Sequence, residues 1–140
     1  MIKIQNPNPT KIIKWYAKST TVKAGQLVKE NTGAEPVAAA HDGATLLGVA
    51  RNTQTSANGL VTIEPLRGAV MEIDYYSGAS KQTCSVTDLG TQFDLNVDGT
   101  TGEMTLNLDD SGGFLYLVDY DNTHKKAYVV VADADILLSI

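Results

Sequence analysis

Gln92-Phe93-Asp94-Leu95-Asn96-Val97, Asp98-Gly99-Thr100-Thr101-Gly102 and Glu103-Met104-Thr105-Leu106-Asn107-Leu108 follow one another directly. The first and third runs alternate apolar with polar residues. Successive strand side chains point to opposite faces, so Phe93, Leu95 and Val97 share one face, as do Met104, Leu106 and Leu108. A helix would repeat its apolar positions every three or four residues, and this stretch does not. Gly99 and Gly102 supply the positive φ that a tight connection needs. The three runs therefore predict a β-hairpin.

The same alternation runs outward in both directions. Ile13, Trp15 and Ala17 share a face in residues 11–18, Val61 and Ile63 in residues 60–65, and Met71, Ile73 and Tyr75 in residues 69–75. Asn58-Gly59 predicts a tight turn between a strand at residues 46–51 and the one that begins at Leu60. Residues 114–120 and 127–132 are almost continuously apolar, which predicts central strands buried on both faces. Asp121-Asn122-Thr123-His124 turns between them. The β-branched and aromatic run Tyr128-Val129-Val130-Val131 suits a strand. Short strands separated by turn residues at intervals of about 8–12 predict an all-β fold, a compact small barrel or sandwich of short antiparallel strands. Helix is expected only briefly, at residues 80–86 and 135–140.

No repeat or linker divides the chain, so residues 11–140 are expected to form a single β domain. Residues 1–10 fall outside the alternation. Asn6-Pro7-Asn8-Pro9 biases them to an extended form, because proline restricts both its own backbone and the residue before it. They are expected to be an extended N-terminal arm.

The 140 residues, 43% of them hydrophobic, suit one core. A chain of this length buries roughly 68% of its unfolded surface and needs no disulfide or metal to fold. Its single cysteine, Cys84, excludes an internal disulfide and a cysteine-based zinc site, and fits synthesis in a reducing compartment. No run approaches the roughly 18 apolar residues of a membrane span. The first residues lack the apolar core of a signal peptide, so synthesis and retention in the cytosol are expected unless a larger assembly carries the protein out.

The net charge is −5. Nucleic-acid-binding domains are usually basic, because phosphate contacts supply most of their affinity, so no nucleic-acid partner is expected. The charge is also uneven. Residues 1–29 hold six lysines and no acid, while residues 30–140 hold five basic and sixteen acidic residues, a balance of −11. The lysines either solvate one strand and its flanks or form a basic arm that seeks an acidic neighbour.

Motifs that carry chemistry are absent. His41 and His124 sit in turn-like sequence beside Asp42 and Asn122. No nucleophile elbow, phosphate-binding loop or dinucleotide fingerprint occurs. Asp109/Asp110, Asp119/Asp121 and Asp133/Asp135 are the carboxylate pairs. Asp119 and Asp121, two apart on a strand, would share a face and could converge on a hard cation. None of these has the spacing of a calcium loop, and all read as turn and strand-end aspartates. No metal or cofactor is expected. Trp15, Tyr16, Tyr116, Tyr120 and Tyr128 fall on core-like strands. In Tyr75-Tyr76 adjacent side chains must face opposite ways, which predicts at least one exposed tyrosine as an interface anchor.

A longer stretch carries a resemblance. Val22-Lys23-Ala24-Gly25-Gln26-Leu27-Val28, Pro36-Val37-Ala38-Ala39-Ala40, Gly43-Ala44-Thr45-Leu46-Leu47-Gly48-Val49-Ala50, Gly59-Leu60-Val61-Thr62-Ile63 and Arg67-Gly68-Ala69-Val70 follow in order. Asp88-Leu89-Gly90-Thr91-Gln92-Phe93-Asp94-Leu95 and Gly112-Gly113-Phe114-Leu115-Tyr116-Leu117-Val118-Asp119-Tyr120 come later. This succession resembles the head decoration, or capsid cement, proteins of tailed bacteriophages. The likeness spans residues 20–132 and leaves residues 1–19 uncovered.

The resemblance implies a compact β domain, often a homotrimer, that clamps neighbouring major capsid subunits from outside the shell. It implies no cofactor, no reaction and no catalytic residue, and the lack of long apolar runs leaves no membrane partner expected. The protein would reach the virion exterior after synthesis in the bacterial cytoplasm. Independently of the family, the expected contact residues are those of the arm, Met1, Ile2, Lys3, Ile4, Gln5, Asn6, Pro7, Asn8, Pro9 and Thr10, with the neighbouring Lys11, together with Tyr75 and Tyr76. The alternative is a carbohydrate- or cell-surface-binding β module of a virion. A third reading, a cation-dependent hydrolase using Asp119 and Asp121, has less in its favour.

Overall fold

The 92–108 hairpin forms in the register its alternation requires, from Asp94 opposite Asn107 to Val97 opposite Met104. Asp98 N–H donates to the Glu103 carbonyl at 2.9 Å, and Gly102 N–H donates to the Asp98 carbonyl at 2.9 Å. The Asp98 carboxylate accepts the Thr100 and Thr101 N–H groups at 2.8 and 2.7 Å. Gly102 turns the chain with φ 74°.

The computed structural model describes residues 1–7, 12–39, 41 and 43–137. Its strands are β1 (Lys3–Ile4), β2 (Ile13–Tyr16), β3 (Leu27–Glu30), β4 (Ala34–Pro36), β5 (Leu46–Ala50), β6 (Leu60–Pro65), β7 (Met71–Asp74), β8 (Gln92–Val97), β9 (Met104–Asn107), β10 (Leu115–Asp121) and β11 (Lys126–Val130). The fold is all-β, as expected, in two antiparallel sheets. The first has the order β1-β7-β11-β10-β8-β9 and the second β2-β6-β5-β3-β4. The first curls until Tyr76 N–H donates to the Leu106 carbonyl at 2.9 Å, joining the end of β7 to β9. The second curls until Ala17 bridges Ala34, beside β2 and β4.

Two apolar clusters fill the interior. The larger holds Met71, Ile73, Phe93, Leu95, Leu115 and Leu117 of the first sheet against Leu27, Leu46 and Val49 of the second. The smaller lies inside the curl of the second sheet and holds Val28, Leu47, Ala50, Val61 and Ile63, with Ile13 and Trp15 packed against it. β5 lies between the two clusters. Leu46 and Val49 feed the larger core and Leu47 and Ala50 the smaller, a spacing of three that goes with the register shift between β3 and β5, and all five residues of the strand are buried.

β10 and β11 correct the expectation of strands buried on both faces. They are central in their sheet, but each buries one face: Leu115 and Leu117 on β10, Ala127 and Val129 on β11. No second layer of the described chain covers the other face. Val118 follows the inward Leu117 and points outward, 44% exposed, at a bulge between Leu117 and Asp119 that leaves Asp119 exposed as well. The expected helices are corrected too. Val86–Asp88 and Asp133–Asp135 are single 3-10 turns. The Asp88 carboxylate accepts the Ser85 N–H at 2.8 Å and fixes the first of them. Residues 138–140 lie outside the described residues.

Candidate partner-binding surfaces

The arm residues divide into two groups. Asn8, Pro9, Thr10 and Lys11 lie outside the described residues. Met1 to Pro7 are placed on the body of the protein. Ile2 is buried in the larger core, and its N–H donates to the Gly25 carbonyl at 3.0 Å. The Met1 side chain fills the space beside Gly25, where a Cβ would meet its Cγ at 2.1 Å. Lys3 and Ile4 pair with Glu72 and Met71, and Gln5 N–H donates to the Val70 carbonyl at 2.8 Å. Asn6 closes the contact twice: its Nδ2 donates to the Gly68 carbonyl at 2.9 Å, and its Oδ1 accepts the Val70 N–H at 3.0 Å. Lys3 and Ile4 thus form the outer strand of a sheet, and their neighbours are tied to the body on either side. The alternation that marks longer strands is too short here to read.

Tyr75 is buried, 5% exposed, and its hydroxyl donates to Asn122 Oδ1 at 2.8 Å. Burial pushes that hydroxyl far above its ordinary pKa, as does the neighbouring Cys84. Within this chain Tyr75 is a core residue and is withdrawn as a surface anchor. Tyr76 is half-buried, and its carbonyl accepts Gln82 Nε2 at 2.8 Å.

The aspartates serve mainly as loop ties. Asp109 accepts the Ser80 and Lys81 N–H groups at 2.7 and 2.9 Å, which lowers its pKa. Asp110 accepts the Gly112 N–H at 3.0 Å. Asp121 caps its turn through the Thr123 and His124 N–H groups, and its Oδ2 lies 2.7 Å from His124 Nδ1. The His124 contact lowers its pKa first and the backbone donors add to this. Asp119 accepts the Tyr120 N–H at 2.8 Å; Asp119, Tyr120 and Asp121 pair in unbroken register with Tyr128, Ala127 and Lys126, so Asp119 and Asp121 share one face, as alternation predicts. Among the described residues no three His, Cys, Asp or Glu side chains converge as a metal site. His41 packs edge-on against Phe114 at 5.2 Å, with Nε2 3.2 Å from the Gly43 carbonyl. Asp42 lies outside the described residues.

The outer surface is more distinctive. Val86 is 73% exposed, and Leu89 and Val118 are each 44% exposed. Their mount is tied down. Lys81 Nζ donates to Asp88 at 2.5 Å, Leu89 N–H donates to the Val86 carbonyl at 3.3 Å, and Gly90 N–H donates to the Leu117 carbonyl at 2.8 Å. The last bond sets the Val86–Leu89 turn beside the bulge that carries Val118. A cleft of about 460 Å³ adjoins Val118, lined also by Gln5, Asn6, Val70, Asp119 and Tyr128.

The second sheet presents a different face. Ile13 and Trp15 point inward, so Lys14 and Tyr16 point out, and Tyr16 is 64% exposed. Leu60, directly across from Tyr16, is 42% exposed. No described carboxylate lies within ion-pair distance of Lys14 or Lys18. Tyr16, expected on a core-like strand, is instead exposed on the face opposite Trp15, and Val118 is exposed on the face opposite Leu117. No protein-family model and no curated protein matches this sequence.

Proposed function

We propose that the protein is a virion structural protein that binds the outer surface of a phage capsid and bridges major capsid subunits, without catalysing a reaction. The observation that carries this reading is the pair Val86 and Leu89, exposed aliphatic side chains on a tied-down turn. Apolar side chains grouped on a surface mark contact sites for other proteins. Rigid backbone lowers the ordering cost of binding. The resemblance of residues 20–132 to decoration proteins supports the same reading.

In this account the protein acts as a homotrimer on the virion exterior, after synthesis in the host cytoplasm. Stabilisation comes from apolar area buried at subunit joints. A trimer that engages several capsid subunits turns each later contact into an intramolecular one, so weak single sites add up to firm attachment. Tyr16, as an exposed aromatic, favours a second reading, a carbohydrate-binding module of the virion. Co-sedimentation with empty shells of the capsid protein encoded in the same genome, beside a glycan array, separates the two. Saturable pelleting with a blank array is expected. A protein that stays in the supernatant and binds a glycan would replace the first reading with the second.

A further inference from the structure

The two outward faces described above differ in charge and shape. On the second sheet, Tyr16 and Leu60 form an apolar knob with Lys14 on the same face and Lys18 two residues on. On the first sheet, the cleft beside Val118 has apolar walls from Val70, Val118 and Tyr128, with the Asp119 carboxylate at its rim. Glu72 stands directly across from Tyr128, whose hydroxyl donates to it at 3.4 Å. The volume of about 460 Å³ is ample for one tyrosine side chain. Desolvation, then Glu72, Asp121 and Asp119, raise the Tyr128 pKa, so these carboxylates act together on one patch.

We propose that copies of this chain associate head to tail, the Tyr16–Leu60 knob of one copy seated in the Val118 cleft of the next. Lys14 and Lys18 then meet Asp119 and Glu72. The two faces belong to different sheets, so the contact is heterologous: each copy keeps one free knob and one free cleft, and further copies add until a ring closes. The knob carries Lys14 and Lys18, and the cleft side carries Glu72, Asp119 and Asp121 with Lys3 across from Glu72, a net opposite sign that favours docking in a single register. The proposal rests on the reading that the protein acts as an oligomer, and it identifies the surfaces that join the copies.

Sedimentation velocity on the full chain tests it, with the substitutions Tyr16→Glu and Val118→Lys. Both sites are exposed, and unchanged thermal unfolding of each variant confirms that the fold is kept. Wild type is expected to sediment as an oligomer that weakens with salt. Each variant should dissociate about tenfold more readily or more, the loss typical of a central interface residue. An equimolar mixture is the decisive arm. The Tyr16→Glu copy keeps its cleft and the Val118→Lys copy keeps its knob, so the mixture should form a dimer and nothing larger. A monomeric wild type, variants that assemble like wild type, or a mixture that stays monomeric would overturn the proposal. A monomeric wild type that still pellets with empty shells would leave the capsid reading standing and remove only this one.

Discussion

β5 and β10 are built from similar sequence and end in opposite situations. Leu46-Leu47-Gly48-Val49-Ala50 and Leu115-Tyr116-Leu117-Val118 are both apolar runs inside antiparallel sheets. β5 is buried on both faces and separates two cores. β10 buries Leu115 and Leu117 and leaves Val118 at the surface. The difference lies in what the rest of the chain supplies. The second sheet curls over β5 from one side while the first sheet covers it from the other. Nothing in the described chain covers the outer face of β10. An apolar run inside a folded chain is thus a core strand in one place and leaves an exposed apolar side chain in another.

Substitutions break the comparison in graded steps. Gly48→Ala should have the largest effect. Its Cβ would lie 1.9 Å from the Glu64 carbonyl oxygen, a backbone atom of the neighbouring strand that cannot swing aside. Loss of the cooperative thermal transition is expected by circular dichroism. Next come Leu46→Ala and Leu47→Ala, one for each core. Both side chains are 0% exposed, so each should cost about 2–5 kcal/mol in urea unfolding. Leu117→Ala on β10 should cost a similar amount. A small effect at either Leu46 or Leu47 would mean that β5 serves one core only.

Asn6→Ala removes two hydrogen bonds that hold β1 to the body. Each such bond contributes about 0.5–1.5 kcal/mol net. The variant should speed hydrogen exchange at the β1 and β7 amides and leave the global transition almost unmoved. A cooperative loss of the whole fold would show that the first seven residues are integral to the core.

Acid should act on one sheet more than on the other. Asp88, Asp98, Asp109 and Asp121 all have lowered pKa values, and all tie loops of the first sheet. Lys81 lowers Asp88 first, backbone donors lower Asp98 and Asp109, and His124 leads at Asp121. A group with a lowered folded pKa stabilises above its unfolded value, about 3.8, and that contribution fades as pH falls through the folded value. Asp94 runs the other way. Burial raises its pKa, so its contribution favours the fold at low pH and is lost as pH rises through the folded value. With four groups against one, amides in the loops flanking β8, β9 and β10 should lose exchange protection first on acidification. Earlier loss in the second sheet would contradict this. Val118→Ala should be the smallest change of all, within about 0.5 kcal/mol of wild-type stability.

Much of this architecture is legible in the sequence because it is local. The 92–108 hairpin, the inward faces of β2, β6 and β7, and the turn at Asn58 follow from period-two alternation and turn chemistry. Asn58 has the positive φ, 62°, that its turn demands. The two-sided burial of β5 and the one-sided burial of β10 depend on which sheet lies above each strand, which is non-local information. Tyr75 illustrates the same limit. Alternation requires Tyr75 and Tyr76 to point opposite ways, but the partner that buries the Tyr75 hydroxyl, Asn122, is 47 residues away. Ile2 is buried for a related reason: its contact, the carbonyl of Gly25, lies on the opposite sheet's approach to β3. The surface residues of the proposed contact follow this division. Tyr16, expected on a core-like strand, stands on the face opposite Trp15, and Val118 on the face opposite Leu117; what neither run announces is that no second layer of the described chain covers that face.

Heat resistance of the shell tests the central claim most directly. Empty shells of the capsid protein encoded in the same genome, with and without saturating amounts of this protein, can be followed by scanning calorimetry. A protein that bridges capsid subunits should raise the temperature at which the shell comes apart, and the rise should shrink for the Val86→Lys variant. Shells that melt at the same temperature with and without the protein would contradict the account.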